Sequence, residues 1–250
     1  MKQKMKKFTN KILDLMYPKN IKCMFCVEEL NQLEYNCTCE NCMPILPFIS
    51  KPCSRCGSPM NENQKGVCLK CKTRNFYFSQ AKSIFEYTEK PLKVVHDVKY
   101  NGKTYLIEYM VRYLVDLYAT WNIFPDLITC VSMFPSKEKA RGYNQSKLLA
   151  ERFAKDVNVP FYELCSKVVD TVSQTELNTK ERIDNVKDSF KLKSEYFKLV
   201  KNKTILIIDD VITTGATCSE ISKVLLEAGA SACYALSFAH TKLDQVQTED

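Results

Sequence analysis

A short apolar run that ends in two adjacent carboxylates is the feature that most restricts the fold of this 250-residue chain. Residues 205–208, Ile-Leu-Ile-Ile, have the length and the β-branching of a buried strand in a parallel sheet. Asp209 and Asp210 follow where this strand is expected to end, and a hydroxyl-rich loop at 213–217 comes next. Because ligands of open α/β sheets bind at the carboxyl ends of the strands, we expect these acids and this loop to line a site.

The loop at 213–217 suits a phosphate group. Gly215 permits close approach of the backbone, and amide groups at the start of a helix attract anions. Thr217 and Glu220 have the spacing of a capping box, which predicts a helix that begins at Thr217 and ends near Gly229. The chain contains neither a Walker phosphate loop nor a Gly-x-Gly-x-x-Gly fingerprint, so those two kinds of nucleotide site are not supported.

Strand and helix patterns alternate over most of the remaining chain. Apolar runs predict strands, and apolar residues at helical spacing predict helices, in the order strand 83–87, helix 109–118, strand 127–134, helix 145–157 and strand 232–238. This alternation predicts an α/β fold with a mainly parallel sheet flanked by helices.

Four Cys-x-x-Cys pairs precede that domain and predict zinc binding. Each pair offers two thiolates, and two pairs complete a closed, structural four-thiolate site. The gaps of 12 and 11 residues between neighbouring pairs favour two successive sites, and a cross-braced pairing stays open as the alternative. The predicted ligands are Cys23, Cys26, Cys39, Cys42, Cys53, Cys56, Cys68 and Cys71, with Cys37 as an alternative to Cys39.

The charge distribution divides the chain near the last cysteine pair. Residues 1–80 contain 13 Lys/Arg and six Asp/Glu, whereas residues 81–250 contain 23 of each. We expect an N-terminal amphipathic helix at 1–20, a loop-rich double zinc module at 21–78 and the α/β domain at 79–245. Lysines and aromatic residues at the end of the zinc module are typical of single-stranded nucleic-acid contacts, and a solvated surface is the equally simple interpretation.

The sequence also bears on the compartment. It has no 18-residue apolar run, which argues against a membrane span, and residues 8–16 are too polar for a signal-peptide core. The cysteines are therefore expected to meet a reducing cytosol, where metal binding is favoured over disulfides. The sequence predicts a cytoplasmic protein.

The strand, the Asp-Asp pair and the Thr-Thr-Gly-Ala-Thr loop resemble the phosphoribosyl pyrophosphate (PRPP) loop of type I phosphoribosyltransferases. This resemblance implies that Asp209 and Asp210 bind the ribose hydroxyls. It implies that the 5′-phosphate is bound by Thr213, Thr214, Gly215, Ala216 and Thr217. Lys137 and Arg141 lie in the polar stretch 135–145, after the strand predicted at 127–134, and are expected to bind the pyrophosphate. Mg²⁺ is expected to bridge pyrophosphate and ribose.

A second motif is similar to one branch of these proteins. Residues 141–145, Arg-Gly-Tyr-Asn-Gln, resemble the Arg-Gly-Phe-Asn-Gln signature of the ComF family, the competence-associated phosphoribosyltransferase-like proteins. The order of N-terminal helix, cysteine pairs and sugar-phosphate domain also resembles that family. Residues 174–190 are similar to its mobile segment, from which Arg182 is expected to close over the pyrophosphate.

The resemblance implies a transferase and leaves a second function open. The predicted reaction moves phosphoribosyl from PRPP to an unidentified nitrogenous base or amine, with Asp209, Asp210 and Arg182 as catalytic residues. The alternative is a non-catalytic PRPP sensor, or a competence factor of DNA uptake that binds single-stranded DNA or a helicase. Three residues depart from the family pattern, since Cys130-Val131-Ser132 replaces Pro-x-Pro and Glu176 replaces Gly.

Overall fold

The computed structural model describes residues 22–30, 36–170 and 186–242. The chain divides into two compact units, residues 1–46 and 47–250, and this division falls between the second and third cysteine pairs. The predicted N-terminal helix and the segment with Glu176 and Arg182 lie outside the described residues. The predicted domain boundary at residue 78 stays a prediction.

A four-stranded parallel sheet lies at the centre of the second unit and confirms the predicted fold class. The strands of this unit are β1 (Gln80–Glu86), β2 (Leu127–Cys130), β3 (Cys165–Lys167), β4 (Phe190–Leu192), β5 (Thr204–Ile212) and β6 (Ala232–His240). The central sheet has the spatial order β1-β6-β5-β2. A separate antiparallel pair joins β3 and β4.

Helices cover the sheet. The α-helices of the described residues are α1 (Leu69–Thr73), α2 (Glu89–Tyr100), α3 (Ile107–Ala119), α4 (Pro135–Arg141), α5 (Gln145–Val157) and α6 (Ala216–Glu227). Helices α3 and α5 pack against the sheet on one face, and α6 packs on the other with β4. Because both faces are covered, all four residues of β2 are buried, which explains the continuous apolar runs. No helix among the described residues has the length and apolar character needed to cross a bilayer.

Strand β5 is longer than predicted and includes the acid pair. Its ladder with β2 ends where Cys130 pairs with Ile208, immediately before Asp209. Its ladder with β6 continues until Ile212 pairs with His240, because β6 also runs beyond its predicted end. The two acids therefore lie past the end of β2, in a part of β5 that still pairs with β6. Strand β2 is shorter than predicted, because it ends at Cys130 and not at Phe134. The polar stretch that follows the predicted strand forms α4 over its first seven residues.

Helix α6 begins earlier than predicted and is capped differently. Gly215 is the N-cap residue with φ +76°, and Thr217 lies inside the first turn. The predicted capping box is wrong, because Glu220 Oε1 instead accepts from the backbone N–H of Asp188 at 3.0 Å. The predicted end is confirmed, since Gly229 takes φ +98° and the N–H groups after the helix close a Schellman motif.

The second group of cysteines is built into the core of the α/β unit. Its four thiols are buried in one apolar cluster with Phe76, Phe78 and residues of β5, β6 and α6. The surrounding chain also covers the outer edge of β1, where the N–H of Ala81 donates to the Arg55 carbonyl at 2.7 Å. The N–H of Ile49 donates to the same strand at 2.9 Å. An edge strand is thereby kept from pairing with another chain.

Candidate functional site

Asp209 and Asp210 are buried at the carboxyl end of β5, with 8% and 3% of each residue exposed. Asp209 Oδ1 accepts from the Ser146 hydroxyl at 2.8 Å. Asp210 Oδ1 accepts from the Gln145 amide at 3.3 Å, and Asp210 Oδ2 lies 2.5 Å from Lys99 Nζ. Buried carboxylates are tolerated only where they are paired and hydrogen-bonded, so the end of α2 and the start of α5 permit the acids to lie here.

The two carboxyl groups differ in their electrostatics. Burial raises the pKa of Asp209 well above its ordinary range, and the charge of Asp210 raises it further. Burial also acts to raise the pKa of Asp210, but the Lys99 ammonium outweighs it and holds that pKa below its ordinary value. Burial alone would lower the pKa of Lys99, and attraction by Asp210 raises it instead. One firmly ionised carboxylate therefore faces one ammonium.

The segment 141–146 supports the acid pair. Gly142 takes φ +90°, a left-handed conformation that lets the chain turn from α4 into α5. The hydroxyl of Tyr143 donates to the Val98 carbonyl in the last turn of α2. This bond fixes the end of the helix that presents Lys99 to the acids.

The loop after β2 is held by the start of α5. Asn144 caps α5 by accepting from the N–H of Ser146 at 3.0 Å, and its amide donates to the Val131 carbonyl at 3.0 Å. The Ser132 hydroxyl donates to the Cys165 carbonyl at 2.5 Å. Val131 and Ser132, in the stretch that replaces Pro-x-Pro, are thus held by hydrogen bonds.

A pocket of about 570 Å³ lies between the end of α2 and α4. Three of its lining side chains are cations: Lys99, Lys137 and Arg141. The Arg141 guanidinium lies 5.2 Å from the centre of the Tyr100 ring. Lys137 forms a largely exposed ion pair with Asp170 at 3.1 Å. The structure therefore brings the two cations predicted to bind pyrophosphate into one pocket with the lysine that pairs with the acids.

The predicted phosphate loop at 213–217 joins β5 to α6 and is backed by an aromatic side chain. A Cβ atom on Gly215 would come within 3.1 Å of Phe76 Cε1. The N–H of Tyr77 donates to the Ser219 hydroxyl in the first turn of α6 at 3.1 Å. The loop is thus in contact with the chain segment that leaves the second cysteine group.

The eight predicted zinc ligands form two groups, and the sulfur atoms of each group lie within 4.8 Å of one another. Neighbouring pairs share a group, with Cys23, Cys26, Cys39 and Cys42 in the first and Cys53, Cys56, Cys68 and Cys71 in the second. The closest sulfur atoms are 3.6 Å apart in the first group and 3.7 Å apart in the second. A tetrahedral site with zinc–sulfur bonds of about 2.3 Å has edges of about 3.8 Å, so both groups fit a zinc ion.

The remaining cysteine of this region lies outside both groups. Cys37 donates through its thiol to the Lys22 carbonyl at 3.0 Å. In the second group, hydrogen bonding with Cys56 lowers the pKa of Cys53 to about 4 against the opposing effect of burial. A thiolate is the form that binds a metal, so this group is prepared for one. Four sulfur ligands leave no open position, which makes either site structural rather than catalytic.

Several residues near the acids were not assigned from the sequence. Lys99 belongs to no motif. Gln145 is the last residue of the Arg-Gly-Tyr-Asn-Gln signature and Ser146 follows it, and neither had an assigned role. Lys167, at the end of β3, interacts electrostatically with Asp209, and burial lowers the pKa of this lysine. Only tertiary packing brings these residues together. His240 is neutral, because burial lowers its pKa to about 4, and its Nδ1 lies 2.7 Å from the Thr241 carbonyl.

No protein-family profile matches this chain, but several proteins resemble it in sequence. Competence protein F of Haemophilus influenzae is 26% identical over 219 residues, which cover 84% of this chain and 93% of that protein. DNA utilization protein YhgH of Escherichia coli K12 is 27% identical over 186 residues, 72% of this chain and 80% of its own. Competence protein ComFC of Bacillus subtilis is 26% identical over 190 residues, 72% and 73% respectively.

Solved structures give a weaker likeness. A purine phosphoribosyltransferase from Pyrococcus horikoshii is 15% identical with a TM-score of 0.35, over 57% of this chain and 78% of that chain. An adenine phosphoribosyltransferase from Leishmania tarentolae is 13% identical with a TM-score of 0.34, over 56% and 73%. With scores this low, the fold assignment rests on the strand order and parallel register described above.

We expect the purified protein to contain about two zinc ions per chain, because each group of four sulfur atoms fits one ion. Cys26→Ser and Cys56→Ser should each remove about one ion. Cys56→Ser should also lower the melting temperature of the α/β unit, since Cys56 lies in its core, whereas Cys26→Ser should leave that transition unchanged. Elemental analysis and circular dichroism measure both effects, and a zinc-free wild-type protein would contradict the assignment.

Gly215→Ala should lower the free energy of unfolding by about 1–3 kcal/mol, because φ +76° is strained for alanine and the new methyl group meets Phe76. Gly66→Ala is the matched control, with φ +73° and no atom within 4 Å of the added Cβ. It should show the strain alone and lose less stability. Urea unfolding of both variants gives the comparison, and equal losses would show that Phe76 does not restrict the loop.

Proposed function

Because this chain belongs to the ComF family, we propose that it binds PRPP and transfers the phosphoribosyl group to a nitrogenous base or amine. One juxtaposition carries the proposal. At the carboxyl end of the sheet, a buried acid pair directly precedes a glycine-containing loop into α6 and reaches, through Lys99, a pocket with three cations. The relatives' names refer to competence and DNA utilization, and we place this protein in the same setting.

Each part of PRPP has a partner of suitable chemistry. The amides and hydroxyls of 213–217, at the start of α6, suit the 5′-phosphate. The carboxylates of Asp209 and Asp210 can accept hydrogen bonds from the ribose hydroxyls. Pyrophosphate carries the most charge, and it suits the pocket that Lys137 and Arg141 line.

Transfer breaks the bond between the anomeric carbon and a pyrophosphate oxygen, and pyrophosphate leaves with the electron pair of that bond. The lone pair of the acceptor nitrogen forms the new bond to the anomeric carbon, and the proton of the acceptor N–H passes to water. Positive charge develops on the ribose and negative charge on the leaving group. Fixed cations around the pyrophosphate stabilise that charge without reorganising during the reaction. The acids and the phosphate loop hold the sugar at both ends, which orients the anomeric carbon. Mg²⁺, when bound to the pyrophosphate, would add charge neutralisation.

The described part of the chain offers Mg²⁺ few oxygen ligands near the acid pair. Among the described residues, Asp210 already forms an ion pair with Lys99 and accepts hydrogen bonds from Gln145 and Ser146. Within this part of the chain, the two cysteine groups are the only groups of three or more side chains that could hold a metal ion. We therefore propose that the ion arrives with the oxygens of PRPP.

A calorimetric titration tests the binding site. We expect PRPP with Mg²⁺ to bind the wild type, and the double variant Asp209→Asn/Asp210→Asn to bind about tenfold more weakly or worse. The variant loses hydrogen bonds to charged groups, each contributing about 1.5–3 kcal/mol. Asp156→Asn is the matched control, since this acid forms an exposed helical ion pair with Arg152. Absent binding by the wild type, or equal binding by the double variant, would discard the site.

Turnover is measured separately. Release of pyrophosphate from PRPP in the presence of candidate bases and amines distinguishes a transferase from a PRPP sensor. Binding without release by any acceptor would favour the sensor, which uses the same residues and needs no acceptor site.

A second function, binding of single-stranded DNA, is favoured by the surface beside the second cysteine group. Lys70 and Lys72 lie on α1, and Arg74 follows it with its guanidinium 5.0 Å from the centre of the Phe76 ring. Tyr77 is 53% exposed. Cations of this kind bind phosphates and exposed aromatic rings stack on bases. A DNA-uptake helicase is the alternative partner that we propose for this protein.

The DNA proposal predicts salt-dependent binding. The affinity for a labelled single strand, measured by fluorescence anisotropy, should fall as salt rises, with a log–log slope of about −0.7 for each phosphate contacted. Lys70→Gln/Lys72→Gln should reduce the magnitude of that slope. Lys155→Gln/Lys201→Gln, at exposed positions elsewhere, should not. Absent or salt-independent binding by the wild type would count against DNA as a ligand.

A further inference from the structure

Lys99 closes the acid pair in this structure. Its Nζ lies 2.5 Å from Asp210 Oδ2, while Asp210 Oδ1 accepts from Gln145 at 3.3 Å and from Ser146 at 3.4 Å. Asp209 and Asp210 are 8% and 3% exposed. A ribose hydroxyl can therefore reach Asp210 Oδ2 only after the ammonium has withdrawn.

The backbone that presents Lys99 is fixed, so this withdrawal is a side-chain movement. The Tyr143 hydroxyl holds the Val98 carbonyl, and the carboxylate of Asp97 accepts from Lys103 Nζ at 2.9 Å in the turn after α2. The lysine stem is flexible, and 21% of the side chain is exposed. The ammonium can move while the helix stays in place.

Lys99 also lines the pocket that contains Lys137 and Arg141. We propose that Lys99 exchanges Asp210 for the pyrophosphate group when the ribose hydroxyls bind, an inference that rests on the proposed PRPP site. In the empty site it is the counter-ion of the acids, and in the occupied site it binds the pyrophosphate.

The exchange leaves no buried charge without a partner. In the empty site the ammonium offsets the Asp210 carboxylate, whose burial alone would be strongly unfavourable. In the occupied site the ribose hydroxyls donate to that carboxylate, and Lys99 meets the pyrophosphate anion. The two halves of the ligand therefore help each other, because the hydroxyls release the lysine that the pyrophosphate needs.

Calorimetry with two separate probes, ribose 5-phosphate and magnesium pyrophosphate, measures this coupling. In the wild type, pyrophosphate should bind about fivefold tighter or more when ribose 5-phosphate is saturating, and the reverse effect should have the same factor. Lys99→Met should lose the coupling and should not weaken the binding of ribose 5-phosphate alone. Lys93→Met, at an exposed lysine of the same helix, should keep the coupling.

A second variant guards against a trivial loss of structure. Asp210→Asn removes the charge that holds Lys99, so pyrophosphate alone should bind more tightly to it than to the wild type, again without coupling. Lys99→Met should leave the affinity for pyrophosphate alone unchanged or lower it. A general loss of folding would weaken pyrophosphate binding in both variants, and circular dichroism monitors the fold.

The outcomes separate the two levels of the proposal. If the wild type binds neither probe, the PRPP site is wrong and the exchange fails with it. If the wild type binds both probes without coupling, or if Lys99→Met retains the coupling, the PRPP site stands and the exchange alone is overturned.

Discussion

The burial of two adjacent carboxylates at the end of one strand is the constraint on which the site depends. Buried carboxyl groups require partners, and two helix ends supply them: α2 stops where Lys99 reaches Asp210, and α5 starts where Ser146 donates to Asp209. Tyr143 and Asn144 then fix those helix ends to each other and to the loop after β2. Residues 143–146 thus support the acid pair, which local sequence similarity alone does not reveal.

Features that depend on residues close together in the sequence could be predicted, and features that depend on distant residues could not. The parallel sheet followed from local apolar runs such as 205–208, and the end of α6 followed from one glycine that must take a positive φ. Partners across the fold could not be foreseen, because Gln145 lies 65 residues from the carboxylate to which it donates. The capping box failed for the same reason, since Glu220 has a partner in Asp188, 32 residues away.

The two cysteine groups look alike in sequence and differ in their surroundings. Cys26 and Cys39 of the first group are half-buried, whereas all four cysteines of the second group are buried in the core of the α/β unit. Spacings of 12 and 11 residues contain no information about this difference. Through Phe76, which lies against Gly215, the second group is also part of the support of the predicted phosphate loop.

The covered outer edge of β1 has a consequence for the order of folding. Its inner edge pairs with β6, and Ser83 and Ser237, whose hydroxyls are 2.7 Å apart, are separated by 154 residues. Its outer edge is covered from nearby, as in the bond from the Ala81 N–H to the Arg55 carbonyl, 26 residues away. Short loops close at a lower entropic cost than long ones. We expect the second cysteine group and β1 to assemble first. The outer edge of β1 is then covered before β6 pairs with its inner edge.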